Sequence, residues 1–194
     1  SLEGFAADES GGKISFKKSQ LDDKFRSEGV AVGDFNQDGR MDIAAGFVWY
    51  AAPDWKMHVI AADAPAPNRA LQGSPPHYDP KGYSNSFCNF AEDLNGDGRT
   101  DLIVVDFPGT PTWWFENPGD LSKPWPRHVC TPVTNTESPD FLDVDGDGQR
   151  DLVAGFSPDA ARPDGPDRQV AFITRVADPN KVWKIHPVST KASP

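Results

Sequence analysis

The sequence predicts an all-β fold built of repeated four-stranded units. Three observations carry that expectation. Short runs such as "IAAGF", "LIVVDF" and "LVAGF" are rich in small and β-branched residues and soon meet Gly or Pro, as strands buried on both faces do. Proline (19) and glycine (17) are abundant and no convincing amphipathic helix is present, which suits short strands joined by many turns. Finally, three acidic stretches recur along the chain: "DFNQDGRMD" from Asp34, "DLNGDGRTD" from Asp93 and "DVDGDGQRD" from Asp143. Their starts lie 59 and then 50 residues apart, a period that calls for a repeat architecture.

Each unit reads the same way in order. An apolar-rich run precedes the acidic stretch ("EGVAVG", "SFCNFAE", "SPDFL"), and a second strand follows it. An aromatic third strand comes next, as in Val48-Trp49-Tyr50 and Thr112-Trp113-Trp114-Phe115. The last element carries Trp, a basic residue and His: "WKMHVI", "WPRHVC" and "WKIHPV". Four strands in roughly 45–50 residues describe a β-propeller blade, with the acidic stretch as the hairpin between its first two strands. The expected blades span 27–60, 84–130 and 136–188. A segment over 1–26 includes a lone outer strand within Lys13–Asp23, a long connection occupies 61–83, and a tail occupies 189–194. Propellers close with roughly four to eight blades. Three blades and one strand are therefore expected to be part of a larger propeller, completed by other blades or by a partner chain.

Ten of the 29 acidic residues lie in the three hairpins, and the net charge is −10. No basic cluster is available to neutralise phosphates, which argues against nucleic acid. No apolar run approaches the ~20 residues of a membrane span. Nothing at Ser1 resembles a signal peptide, so a mature, trimmed or excised form is expected. Packing like charges this closely is costly unless a cation neutralises them. Asp or Asn at positions 1, 3 and 5 turns side-chain oxygens toward one point, Gly at position 6 permits the sharp turn, the position-7 carbonyl faces inward, and Asp at position 9 closes the cage. Oxygen-only ligands on a flexible loop suit Ca²⁺ over Mg²⁺. An EF-hand needs an acid at position 12, where Ala45, Val104 and Ala154 stand instead.

These loops, followed by "IAAGF" and "LVAGF", resemble the FG-GAP repeats of integrin α-chain propellers and the related VCBS repeats. The "WWFENPGD" and "WPRH" segments look more like the secreted bacterial branch. A fainter similarity is to the propeller of aldos-2-ulose dehydratases, which are metal-dependent sugar lyases. The resemblance implies about three Ca²⁺ sites. Asp34, Asn36, Asp38, Arg40 (carbonyl) and Asp42 would form the first. Asp93, Asn95, Asp97, Arg99 (carbonyl) and Asp101 would form the second, and Asp143, Asp145, Asp147, Gln149 (carbonyl) and Asp151 the third. Extracellular Ca²⁺ modules bind at about 10⁻⁴–10⁻³ M, so such sites fill outside the cytoplasm; a secreted or periplasmic location is expected.

His58, His128 and His186 recur once per blade, which reads as packing, as do the tryptophans. His77 differs: it lies in the long connection with Tyr78, Asp79, Lys81, Tyr83 and Asn85, on the face opposite the acidic hairpins. Counting back from each hairpin places Glu28, Phe87 and Glu137 near the same channel mouth. His77, Glu28 and Glu137 are the candidates for a catalytic metal or acid–base pair. Cys88 and Cys130 fall on the first and fourth strands of one blade, beyond disulfide reach. A Ca²⁺-stabilised module binding protein or carbohydrate is the first reading of function. The alternatives are a sugar-processing lyase, dehydratase or hydrolase, and a structural component of a secreted assembly.

Overall fold

The computed structural model describes residues 14–61, 86–159, 161–162 and 165–189. Those residues form twelve strands in antiparallel pairs. Among them no helix is long and apolar enough to cross a membrane. The first blade is a sheet of β1 (Ala31–Gly33), β2 (Asp42–Ala45), β3 (Val48–Ala51) and β4 (Lys56–Val59), in that order. The second blade repeats the meander with β5 (Cys88–Glu92), β6 (Asp101–Val105), β7 (Thr110–Phe115) and β8 (Arg127–Thr134). The third uses β9 (Asp140–Leu142), β10 (Asp151–Phe156), β11 (Gln169–Thr174) and β12 (Lys184–Ser189).

β8 runs on past position 130, and its last residue, Thr134, pairs with Phe156 of β10, so the second and third blades share one sheet. Asn135 N–H then donates to the Gly155 carbonyl at 2.7 Å. A Cβ at Gly155 would lie 2.7 Å from the Asn135 carbonyl, so this crossing requires glycine.

Register decides which side chains meet between blades. On the first blade Ala44 pairs with Trp49 and Trp49 with His58, so all three share the face toward the second blade. Ala31, Ala44, Trp49 and Ile60 pack there with Leu102, Val104, Phe115 and Trp125. The opposite face of the second blade supplies Ile103, Val105, Trp114 and Cys130, which pack on Phe141, Leu152, Ala154 and Ile173 of the third. β6 is buried along its whole length between these two cores, as its unbroken apolar run predicts.

The recurring histidines have one structural job. His58 stacks on Trp49 and His128 on Trp114, each with ring centroids 4.3 Å apart, and His186 stacks on Phe172 at 4.5 Å. Backbone bonds add to the junctions. Trp125 N–H donates to the Ile60 carbonyl and Trp183 N–H to the Cys130 carbonyl. Near the inner strands, Glu28 and Gly29 donate to the carbonyls of Ser86 and Phe87.

The two junctions differ where the residue before one hairpin meets position 8 of the next. Gly33 faces Thr100 so closely that an added Cβ would sit 2.7 Å from Thr100 Cγ2. In the next junction Glu92 instead binds Arg150 Nε at 2.7 Å and Arg175 at 3.1 Å, and Arg150 lies over the Phe141 ring.

The lone outer strand expected within Lys13–Asp23 is corrected. Residues 14–23 form no strand, because no neighbouring strand supplies ladder partners there, and Ile14 and Phe16 are exposed. The segment instead lies on the outer face of the first blade. Leu21 packs against Ala45, Val48 and Tyr50, and Asp22 accepts hydrogen bonds from the Tyr50 hydroxyl and Arg26 Nε, both at 2.7 Å. The Tyr50 bond, reinforced by Arg26, holds the Asp22 carboxyl well below its usual range. Cys88 and Cys130 stand on β5 and β8 as free thiols.

Candidate functional site

The three acidic hairpins share one backbone plan. The aspartate at position 1 caps the turn with both oxygens. Asp34 accepts N–H bonds from Asp38 and Gly39, Asp93 from Gly96, Asp97 and Gly98, and Asp143 from Gly146 and Gly148. Glycine at position 6 makes the reversal, with φ of 82° at Gly39, 83° at Gly98 and 88° at Gly148, a region side chains avoid. The chain turns back so that position 9, the first residue of the second strand, lies under position 1.

That position-9 aspartate is buried in every copy: Asp42 and Asp101 are 0% exposed and Asp151 is 2% exposed. Asp101 accepts N–H bonds from Leu94 at 2.9 Å and Asn117 at 2.8 Å; Asp42 accepts them from Phe35 and Ala52, and Asp151 from Val144. These bonds do not offset desolvation. Burial, with the neighbouring loop acids adding to it, raises all three carboxyls, and Asp101 is pushed up to about 7. A buried carboxylate surrounded by carboxylates is a group waiting for positive charge.

In the third hairpin, oxygens of Asp143, Asp145 and Asp151 lie within 4.8 Å of one another. Among the described residues this is the one group of three or more His, Cys, Asp or Glu side chains that converge so closely. Asp147 instead accepts the Gln149 N–H at 2.7 Å. Position 5 behaves alike elsewhere: Asp38 accepts the Arg40 N–H and the Asn36 amide, and Asp97 accepts the Arg99 N–H and the Asn95 amide. Asp97 also pairs with the Arg99 guanidinium. The Arg99 side chain further donates to the Asn117 carbonyl at 2.8 Å.

The expected channel-face set is not assembled by the described residues. His77 lies outside them, with Tyr78, Asp79, Lys81, Tyr83 and Asn85. Glu28 and Glu137 are exposed just ahead of β1 and β9, and Phe87 is buried against Phe107. What sequence reasoning missed is the cluster of Glu92, Arg150 and Arg175. Its one signal was an acid, Glu92, where the other two repeats carry Gly33 and Leu142.

The raised carboxyls set a pH dependence whose sign is fixed. An acid with a folded value above its unfolded value of about 4 favours the metal-free fold at low pH and opposes it as pH rises through the folded value. Metal-free protein should therefore lose stability between about pH 4 and pH 7, by about 4 kcal/mol from Asp101 alone. Urea melts of metal-stripped protein across that range measure it. Asp101→Asn should flatten the slope, and an unchanged slope would contradict the assignment.

The family model for the FG-GAP-like repeat matches residues 93–154, from the first aspartate of the second hairpin into β10. No curated protein matches the chain. Residues 93–154, most of the second blade and the start of the third, thus resemble an FG-GAP-like repeat, and the fold is all-β and propeller-like.

Proposed function

We propose that this chain is a calcium-stabilised β-propeller module that works outside the cytoplasm and binds protein or carbohydrate. The observation that carries the reading is the convergence of Asp143, Asp145 and Asp151 beneath a backbone plan shared by all three hairpins. The donor set fits the ion, since it is oxygen only, anionic and built on a flexible loop. The ligands would come from positions 1, 3, 5, 7 and 9 of each hairpin. Calcium would supply charge neutralisation: it would tie the end of the first strand to the start of the second and relieve the buried position-9 carboxylate. No reacting group is needed for that role. Affinities of about 10⁻⁴–10⁻³ M match extracellular calcium, which is the basis for the proposed location.

Calcium counting tests the proposal directly. Metal-stripped protein titrated with Ca²⁺ in a calorimeter should bind about three ions per chain, with Mg²⁺ a poor competitor. Asp143→Asn should remove one of them. No heat of binding, or equal competition by Mg²⁺, would sink the reading.

A further inference from the structure

The three hairpins differ at their third and fourth positions. These read Asn36-Gln37 in the first, Asn95-Gly96 in the second and Asp145-Gly146 in the third. The second therefore joins an amide side chain to a glycine. Of the eight asparagines in the chain, Asn95 is the one followed by glycine. That dipeptide has a chemistry of its own. The backbone nitrogen after an asparagine can attack the side-chain amide carbon, and a side chain on the attacking residue obstructs the approach. Glycine has none and leaves the backbone free to turn.

The fold keeps that chemistry open. Asn95 and Gly96 are both exposed at the tip of the hairpin. A Cβ built on Gly96 would meet nothing within 4 Å, so no neighbouring segment crowds this peptide. The Asn95 side chain curls back over its own turn. Its Oδ1 accepts the Asp97 N–H and its Nδ2 donates to Asp97 Oδ2, both at 3.1 Å. The Gly96 N–H donates to Asp93 Oδ1, 2.8 Å away, and not into a strand ladder. These contacts all lie within the loop, so breaking them disturbs no core. Asn89 and Asn117 are the contrast, since both are buried. Asn89 is held by Gly46 and Ser86, and Asn117 precedes a proline, which has no N–H to lose.

We propose that Asn95 is a self-modification site, deamidated in the folded protein to aspartate and isoaspartate. The Gly96 nitrogen bonds to Asn95 Cγ and closes a five-membered imide. The Cγ–Nδ2 bond breaks, and the amide nitrogen leaves as ammonia with the hydrogen that Gly96 gives up. Water then opens the ring. Attack at Cγ frees the Gly96 nitrogen from the side chain and leaves aspartate. Attack at the backbone carbonyl leaves the chain running through Cβ and Cγ, which is isoaspartate. Water is the only co-reactant.

The two products differ in consequence. Aspartate gives the second hairpin acids at positions 1, 3, 5 and 9, the set that the third has in Asp143, Asp145, Asp147 and Asp151. Isoaspartate adds a methylene to the main chain inside the turn that Asp93 caps. The first hairpin, with Gln37 after its asparagine, is spared both.

The full chain is incubated in EGTA at about pH 8 and about 37 °C, and peptide mapping by mass spectrometry follows Asn36 and Asn95 together. EGTA takes calcium out of the comparison, so the result stands whether or not the calcium reading holds. Asn95 should gain about one dalton at least about tenfold faster than Asn36, with both products resolved by fragmentation. A parallel incubation in urea gives the rate of the unfolded chain, and the native rate should lie within about tenfold of it. Gly96→Gln keeps the turn, since Gln37 holds the matching position at φ of 60°. It should slow the conversion about tenfold. Conversion of Asn95 no faster than that of Asn36, a native rate more than about tenfold below the urea rate, or an undiminished rate in folded Gly96→Gln would each overturn the proposal.

Discussion

Adding about 10 mM Ca²⁺ to metal-stripped protein should raise its unfolding free energy by about 4–8 kcal/mol, the largest effect expected of any single perturbation. At the affinities of extracellular loops, ligand in about 10- to 100-fold excess over Kd stabilises by about 1.4–2.7 kcal/mol per site, and three sites add. For a chain of this size that corresponds to a rise in Tm on the order of 10–30 °C. The structural reason lies in the hairpins. Without a cation, Asp42, Asp101 and Asp151 are buried carboxylates among like charges, and each is raised for that reason. A cation turns that opposition into attraction, so the gain should be larger at pH 8 than at pH 5. Superimposable calorimetric melts in Ca²⁺ and in EGTA would contradict it.

Phe35→Ala should destabilise the chain by about 4 kcal/mol, the cost of deleting a fully buried aromatic from a core that cannot collapse onto the void. The residue follows the first loop aspartate, yet its ring lies between Trp49 and Trp125. One side chain therefore anchors both the acidic hairpin and the blade junction. Its counterpart Leu94 borders open space, and Leu94→Ala should cost only about 1–2 kcal/mol. Urea denaturation of the two variants at saturating Ca²⁺ compares them. Equal losses would mean that the two junctions are packed alike, contrary to the contacts described.

The sequence made the blades legible because one physical pattern recurs three times. Hairpin acids, a β-branched second strand and the Trp-basic-His element all follow from local turn chemistry and strand periodicity. The histidines were legible for the same reason, since a residue repeated in every blade reports packing. The segment around Ile14 and Phe16 was not, because it reads like a last strand while pairing depends on a neighbour that local pattern does not reveal. A surface groove beside the second blade junction was not legible either. It arises where Leu94, Gly96, Gln149 and Pro179 coincide, and those positions are far apart in the chain and meet only through register. Within the hairpins, the recurrence of acids at positions 1 and 9 was readable from the sequence. That Asp97 is engaged by Arg99, and Asp147 by its own turn, depends on rotamers that composition cannot specify.

The pairing of Gly33 with Thr100, and of Glu92 with Arg150, has a consequence for how such an array changes over time. Identical flanks would let any blade sit beside any other. Here the flanks differ: at one boundary an added Cβ would crowd Thr100 Cγ2, and the next holds an ion pair. A second blade transplanted to the first position would press Glu92 against Thr100, and a third blade moved forward would bring Arg150 to Gly33. The order of the blades is thus written into their borders, and recombination that shuffles them is penalised.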